Sequence, residues 1–244
     1  MYAIEIKGLT KKFKDFTAVD ALNLEINDGE LFALLGVNGA GKTTTIKMLS
    51  CLLKPDAGDA LLLGESIVST PHKVKEIINV SPQETAVARN LTARENLELS
   101  AALYGINKKD AAARAQSMID TFDLSEYASK KAKTLSGGTQ RRLSIAMALI
   151  SEPKVLFLDE PTLGLDVIAR RELWSAVKKL KGKVTVILTT HYMEEAEELS
   201  DRIGIMSKGR LRAVGTAKAL TESCGAKNFE EAFVNIATQG GDAV

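Results

Sequence analysis

Cysteine is almost missing from this 244-residue chain. Its two thiols, Cys51 and Cys224, lie far apart and show no metal-ligand spacing. They read as free thiols of a reducing compartment and exclude a disulfide-stapled scaffold. Neither sign of charge is in excess, with 32 basic residues against 31 acidic ones and a net charge of +1. That balance removes bulk attraction to nucleic acid, and no nucleic-acid partner is expected. No run nears the ~18 consecutive apolar residues of a membrane helix, so the chain is not expected to span a bilayer by itself. Met1 leads straight into the alternating pattern Tyr2-Ala3-Ile4-Glu5-Ile6-Lys7. A basic segment followed by an apolar one is missing there, so no secretory leader is expected. Histidine is confined to His72 and His191.

What is present suffices for a sizeable core: 45% of residues are apolar and 26% charged, which rules out disorder for most of the chain. At about 150 residues per domain, the length suggests one large domain or one domain with an inserted lobe. Leu22, Leu24 and Ile26 alternate with Asn23 and Glu25, and Leu31 to Leu35 form a continuous apolar run. The first pattern suits a half-buried strand and the second a strand buried on both faces. A glycine-rich loop follows, then a helix expected over Thr43 to Leu53, then strands at Leu61–Leu63 and Ile77–Val80. From about residue 84 to 152 the pattern turns helical. Thr92 and Glu95 have capping-box spacing ahead of a helix that should stop near Gly105. Ala111, Ala115, Met118, Ile119 and Phe122 share one helix face, and so do Leu143, Ala146, Met147 and Ile150 of a helix after Ser136-Gly137-Gly138. Strands return at Val155–Leu158 and Val184–Leu188, separated by a helix from about Val167 to Leu180. An acidic helix around Met193 to Leu199 comes next, then a hairpin at Lys208-Gly209. The tail holds one short amphipathic segment with Phe229, Phe233 and Ile236, and its Gly240-Gly241-Asp242 end is expected to fray. This order gives an α/β core interrupted by a helical lobe.

Gly36-Val37-Asn38-Gly39-Ala40-Gly41-Lys42-Thr43 matches the phosphate-loop pattern at every fixed position, between a strand and a helix. Glycines let successive N–H groups point into one anion nest, and the helix N-terminus adds about half a positive charge. Lys42 supplies a point charge for the β- and γ-phosphates, and the Thr43 hydroxyl can complete a Mg²⁺ shell. Asp159 and Glu160 end a buried strand, where ligands of parallel sheets sit. Asp159 is the candidate Mg²⁺ anchor, acting from outside the ion's direct ligands, and Glu160 the candidate base that orients or deprotonates water. The bland reading, two acids opening a turn before Pro161, weakens beside a phosphate loop. His191 follows a strand and can donate to a γ-phosphate; Gln83 also follows one and can reach water and Mg²⁺. Ser136 and the two glycines after it begin a helix and form a second anion site.

Leu135-Ser136-Gly137-Gly138-Thr139-Gln140, together with those motifs in this order, resembles the ATP-binding-cassette (ABC) ATPases over residues 2 to 218. The resemblance implies an α/β phosphate-loop NTPase (RecA-like) core over 1–83 and 153–218 with an antiparallel β subdomain. It also implies an inserted helical subdomain over 84–152 and a short C-terminal extension over 219–244. By resemblance, Phe13 stacks on adenine, although Phe16 is nearby. Asn38, Gly39, Ala40, Gly41, Lys42, Thr43 and Thr44 bind ATP; Thr43, Gln83 and Asp159 serve Mg²⁺; Glu160, His191 and Gln83 are catalytic. Gly164-Leu165-Asp166 match the D-loop. Ser136, Gly137 and Gly138 would cap the γ-phosphate held by a second cassette, a copy or a paralogue. Thr139 stands where the family often has glutamine, and Phe13 replaces a commoner tyrosine. Glu160 to Arg171 and Phe229-Glu230-Glu231-Ala232-Phe233 look like exporter ATPases of drug, polysaccharide and ion efflux. The implied role is an ATPase subunit that drives a separate transmembrane permease from the cytoplasmic face of the membrane. A soluble ABC ATPase of iron–sulfur cluster assembly, or of another non-transport role, is the alternative.

Overall fold

The computed structural model describes residues 1–238; Gly240, Gly241 and Asp242 lie outside the described residues. The chain opens with two long strands, β1 (Tyr2–Phe13) and β2 (Phe16–Asn27), paired antiparallel from Ile4↔Ile26 to Phe13↔Phe16. β3 (Leu31–Leu35) is followed by the phosphate loop and α1 (Lys42–Leu49). β4 (Ala57–Leu62) and the short β5 (Glu65–Ser66) complete a four-stranded antiparallel sheet in the order β2-β1-β4-β5. α2 (Pro71–Ile77) then leads into β6 (Ile78–Ser81). A helical segment carries α3 (Ala93–Leu103), α4 (Lys108–Thr121) and α5 (Gly137–Leu149). The chain returns through β7 (Val155–Asp159), α6 (Val167–Lys178), β8 (Thr185–Thr190) and α7 (Met193–Leu199). It finishes with β9 (Arg202–Ser207), β10 (Arg210–Gly215), α8 (Ala217–Ser223) and α9 (Phe229–Thr238).

The second sheet has six strands in the order β10-β9-β3-β8-β7-β6, parallel except for β10. Every residue of β3 is buried, and alternation splits the strand between two cores. Leu31, Ala33 and Leu35 pack with the helical segment and α6, while Phe32 and Leu34 pack with α1 and the four-stranded sheet. Burying both faces is what a continuous apolar run requires, because successive side chains point to opposite sides. The parallel strands β3, β6, β7 and β8 all end at one edge, and the loop, Gln83, Asp159, Glu160 and His191 follow them there.

Local signals account for most boundaries. Thr92 and Glu95 form the full capping box of α3, with both reciprocal bonds in place. Gly105 takes φ +74 just beyond that helix. Lys208 (φ +50) and Gly209 (φ +76) make the β9–β10 turn, both left-handed as a type I′ hairpin needs. The helix after the phosphate loop stops at Leu49 rather than Leu53, because Cys51 adopts φ +56 and the N–H groups of Leu52 and Leu53 fold back onto the Lys47 carbonyl. Helical character begins at Ala93 rather than 84. The preceding loop is held by the wholly buried Asn96, whose side chain accepts from Ala88 N (2.7 Å) and donates to the carbonyls of Ala88 and Thr92. α2 was not expected, and it takes Ile77 from the strand foreseen there. With Val74 as its one buried residue, seven residues carry too little periodicity to show.

α5 is buried nearly all round. It touches α3, α4 and α6 as well as β6 and β7, so it is packed against lobe and sheet alike. α8 begins at Ala217 with Thr216 as its cap, and α9 lies on β9 and β10, burying Phe229, Ala232 and Ile236. No helix among the described residues is long and apolar enough to cross a membrane.

Candidate functional site: a phosphate-loop cavity

Gly41 caps α1 with φ +104, and a side chain there would meet the Ala18 carbonyl at 2.4 Å. Glycine is therefore required by conformation and by space. The next residue, Lys42, is 5% exposed, and its Nζ donates back to the carbonyls of Gly36 (2.7 Å) and Val37 (3.3 Å). The same Nζ lies 3.3 Å from Glu160 Oε1. On the other side of that carboxylate, His191 Nδ1 stands 2.6 Å from Glu160 Oε2. Glu160 is 8% exposed and adopts φ +47, a left-handed conformation that a residue with a side chain holds at a cost. Its N–H donates to Thr189 Oγ1 (3.0 Å) and lies 3.2 Å from the Thr189 carbonyl, which ties the turn to the end of β8.

Thr43 Oγ1 donates to Asp159 Oδ1 at 3.1 Å, and Thr189 Oγ1 donates to the same oxygen at 2.6 Å. Among the described residues no three His, Cys, Asp or Glu side chains cluster as a metal site. A hydroxyl and a carboxylate oxygen facing a phosphate loop instead fit a hard cation of the Mg²⁺ type, which takes few protein ligands and completes its shell with phosphate oxygens and water.

A cavity of about 460 Å³ gathers these groups. It is lined by Asn38 to Thr44 of the loop, which takes in Asn38, Gly39, Ala40, Gly41, Lys42, Thr43 and Thr44, together with Phe13, Phe16, Gln83, Glu160 and His191. Phe13 and Phe16 both remain exposed at the end of the β1–β2 hairpin, and Lys11 Nζ lies 5.6 Å from the Phe13 ring centre. Ser136, Gly137 and Gly138 do not line this cavity. They sit at the start of α5, where Ser136 Oγ accepts from Thr139 N at 3.2 Å. A Cβ on Gly137 would meet no atom within 4 Å, whereas one on Gly138 would lie 2.7 Å from Cβ of Ala169.

Two buried groups beside the site escaped the sequence reading. Arg141 is 3% exposed, and its guanidinium donates to the carbonyls of Pro82, Gln83 (3.2 Å), Asp159 (2.9 Å) and Pro161 (2.8 Å). Burial pushes its pKa down to about 10, against the pull of Asp159 and Glu195, so it stays charged at neutral pH. Glu195 is wholly buried, accepts from Trp174 Nε1 at 3.1 Å, and has its pKa raised by burial. The signal for Arg141 was a charged residue on a helix whose other faces are apolar; nothing in the sequence gave its partners.

The ABC transporter family pattern matches residues 19–163. The chain is 42% identical over 229 residues to the daunorubicin resistance ATP-binding protein DrrA3 of Streptomyces coeruleorubidus, covering 93% of this chain and 72% of that protein. It is 40% identical over 239 residues to the probable multidrug ABC transporter ATP-binding protein YbhF of Escherichia coli, covering 96% of this chain and 41% of that one. Among solved structures, the ATP-binding subunit of an ABC transporter superposes with a TM-score of 0.83 at 28% identity, over 96% of this chain and 99% of that one. The cassette MJ0796, a dimer in a post-hydrolysis state bound to ADP and phosphate, gives 0.76 at 28% identity, over 87% of this chain and 98% of that one. The chain belongs to the ABC transporter family as one of its ATP-binding ATPases.

Proposed function

We propose that this ATPase dimerises around two Mg²⁺-bound ATP molecules and drives a separate membrane permease, for export, from the inner face of the cell membrane. The observation that carries the reading is the Glu160 carboxylate, reached by Lys42 on one oxygen and His191 on the other inside the cavity of the phosphate loop. The names of the drug-resistance relatives favour export.

In this reading the loop N–H groups and Lys42 hold the β- and γ-phosphates. Phe13, with Phe16 beside it, stacks on the adenine. Thr43, Asp159 and Gln83 would hold Mg²⁺, which would supply neutralisation of the charge that develops on the phosphates. Glu160 orients a water in line with the γ-phosphorus and accepts its proton as the bond to the β-phosphate oxygen breaks. His191 steadies the carboxylate and donates toward the γ-phosphate. Ser136, Gly137 and Gly138 lie outside the cavity, which suits a role on the nucleotide of a second cassette. Closure and reopening of such a dimer would move the helical lobe over 84–152. A small cleft lined by Asn79, Pro82, Tyr104 and Met147 lies beside Gln83, with Leu99 and Leu103 exposed on α3. That surface suits a short helix of the permease.

The test is assembly. The Glu160→Gln variant should form an ATP-dependent dimer by light scattering, and Ser136→Ala should weaken it. Purification from membranes should recover a multi-span protein. A chain that stays monomeric with ATP, or that comes down with soluble iron–sulfur scaffold proteins, would overturn the proposal.

A further inference from the structure

Arg141 stands out because its bonds bracket the site. The carbonyls of Asp159 and Pro161 flank Glu160 in sequence, and one guanidinium holds both, through Nη2 (2.9 Å) and Nε (2.8 Å). Between them Glu160 keeps its left-handed backbone at φ +47. The remaining nitrogen, Nη1, reaches the carbonyls of Pro82 and Gln83. Two chain segments that are remote in sequence are thus pinned by one side chain to the helix that starts at Ser136. Its neighbour Arg142 reaches elsewhere: Nη1 donates to the Phe122 carbonyl (3.3 Å), and Nη2 pairs with Glu172 (3.3 Å). The arginine pair joins α5 to the sheet edge through one member and to α4 and α6 through the other.

We propose that Arg141 is a positioning residue for ATP hydrolysis, whose planar fork locks the strained turn of Glu160 and the backbone of Gln83 to the helix that begins at Ser136. The inference rests on the reading of Glu160 and Gln83 given above. A charge alone would not serve. Four carbonyls from two segments need several donors in one fixed plane, which guanidinium supplies and an ammonium does not. The fork also passes motion. When α5 shifts, Glu160 and Gln83 are drawn with it, so the helix that offers Ser136 to a second nucleotide is coupled to the residues that act on the first.

The experiment compares Arg141→Lys, Glu160→Gln and the double variant on the full chain, with kcat, KM for ATP and thermal midpoint measured for each. Lysine keeps the buried charge opposite Asp159 and Glu195. Arg141→Lys should lower kcat by at least about tenfold and leave KM within about twofold, since the hydrogen bonds of Arg141 go to 82–83 and 159–161 rather than to the phosphate loop, and a small misplacement of the reacting groups suffices for such a loss. The double variant should turn over as slowly as Glu160→Gln alone, within about twofold, because the two residues act as one unit. An unchanged kcat in Arg141→Lys overturns the proposal. A parallel loss of ATP binding and of folding, or losses that multiply in the double variant, shows a purely structural role and also overturns it. Normal turnover in Glu160→Gln is a separate failure: it removes Glu160 from its role, and the proposal falls with it.

Discussion

His191 Nδ1 lies 2.6 Å from Glu160 Oε2, close enough for the imidazole to fix where that oxygen points. Replacing His191 with alanine leaves Lys42 as the cation still touching the carboxylate. The expected outcome is a fall in kcat of about 10²–10³-fold, the scale seen when a preorganised donor is lost, with ATP affinity little changed. Phosphate release and nucleotide titration read the two quantities separately. Full turnover in His191→Ala would reduce the contact to a passive one.

Lys42→Ala should act on binding. Its ammonium is buried and held toward the loop by the Gly36 carbonyl at 2.7 Å. A hydrogen bond to a charged group is worth about 1.5–3 kcal/mol. ATP affinity should therefore drop by roughly 10- to 150-fold. Equilibrium titration checks this, and an unaltered Kd would contradict the assignment of the loop.

Gly138 and Ala169 are packed so closely that a methyl at 138 would lie 2.7 Å from Cβ of Ala169. Gly138→Ala should lower stability by about 1–3 kcal/mol, the usual cost of overpacking. Adding Ala169→Gly should recover part of that loss, although glycine itself costs up to about 1 kcal/mol in a helix. Urea unfolding of the two single variants and the double variant gives the coupling; strictly additive losses would mean that α5 and α6 part freely. The same contact makes Ser136→Ala a cleaner probe of the second anion site than a charge placed at 138.

Glu195 gives the fold a pH dependence. Burial raises its pKa, with Thr190, Thr162 and Trp174 pulling the other way. The folded chain therefore binds this proton more tightly than the unfolded chain. Its contribution is fully present below the ordinary carboxylate range and is lost as pH rises through the raised value. Glu195→Gln keeps an oxygen for Trp174 and removes the titration, so its stability should fall less as pH rises from the ordinary carboxylate range upward. Parallel stability curves for the two proteins, from urea unfolding across that rise in pH, would contradict this.

The residues that announce themselves are those whose signal is local. The phosphate loop, Asp159, Glu160 and His191 each follow an apolar strand directly, so a one-dimensional pattern suffices to place them at one sheet edge. Thr189 and Arg141 act across the chain instead. Thr189 meets Asp159 and Arg141 meets Pro82 only after β6, β7, β8 and α5 have packed together. The α5 helix misled for a related reason: a single apolar stripe was expected, yet lobe and sheet cover it on nearly every side, arginines included. Asn96 likewise shapes the loop after Gln83 through contacts that no spacing rule encodes.

Parallel pairing places every reactive group at one end of the larger sheet, from Leu35↔Thr190 to Asp159↔Thr189. The opposite end holds turns such as the one where Gly182 N meets the Gly29 carbonyl at 3.0 Å. Deleting one residue within β7 would reverse the facing of each side chain beyond it and sever Asp159 from Thr43. Lengthening the loops at the far end would leave ATP chemistry intact. Evolution can thus graft new modules onto one rim of this sheet while the other stays frozen in register.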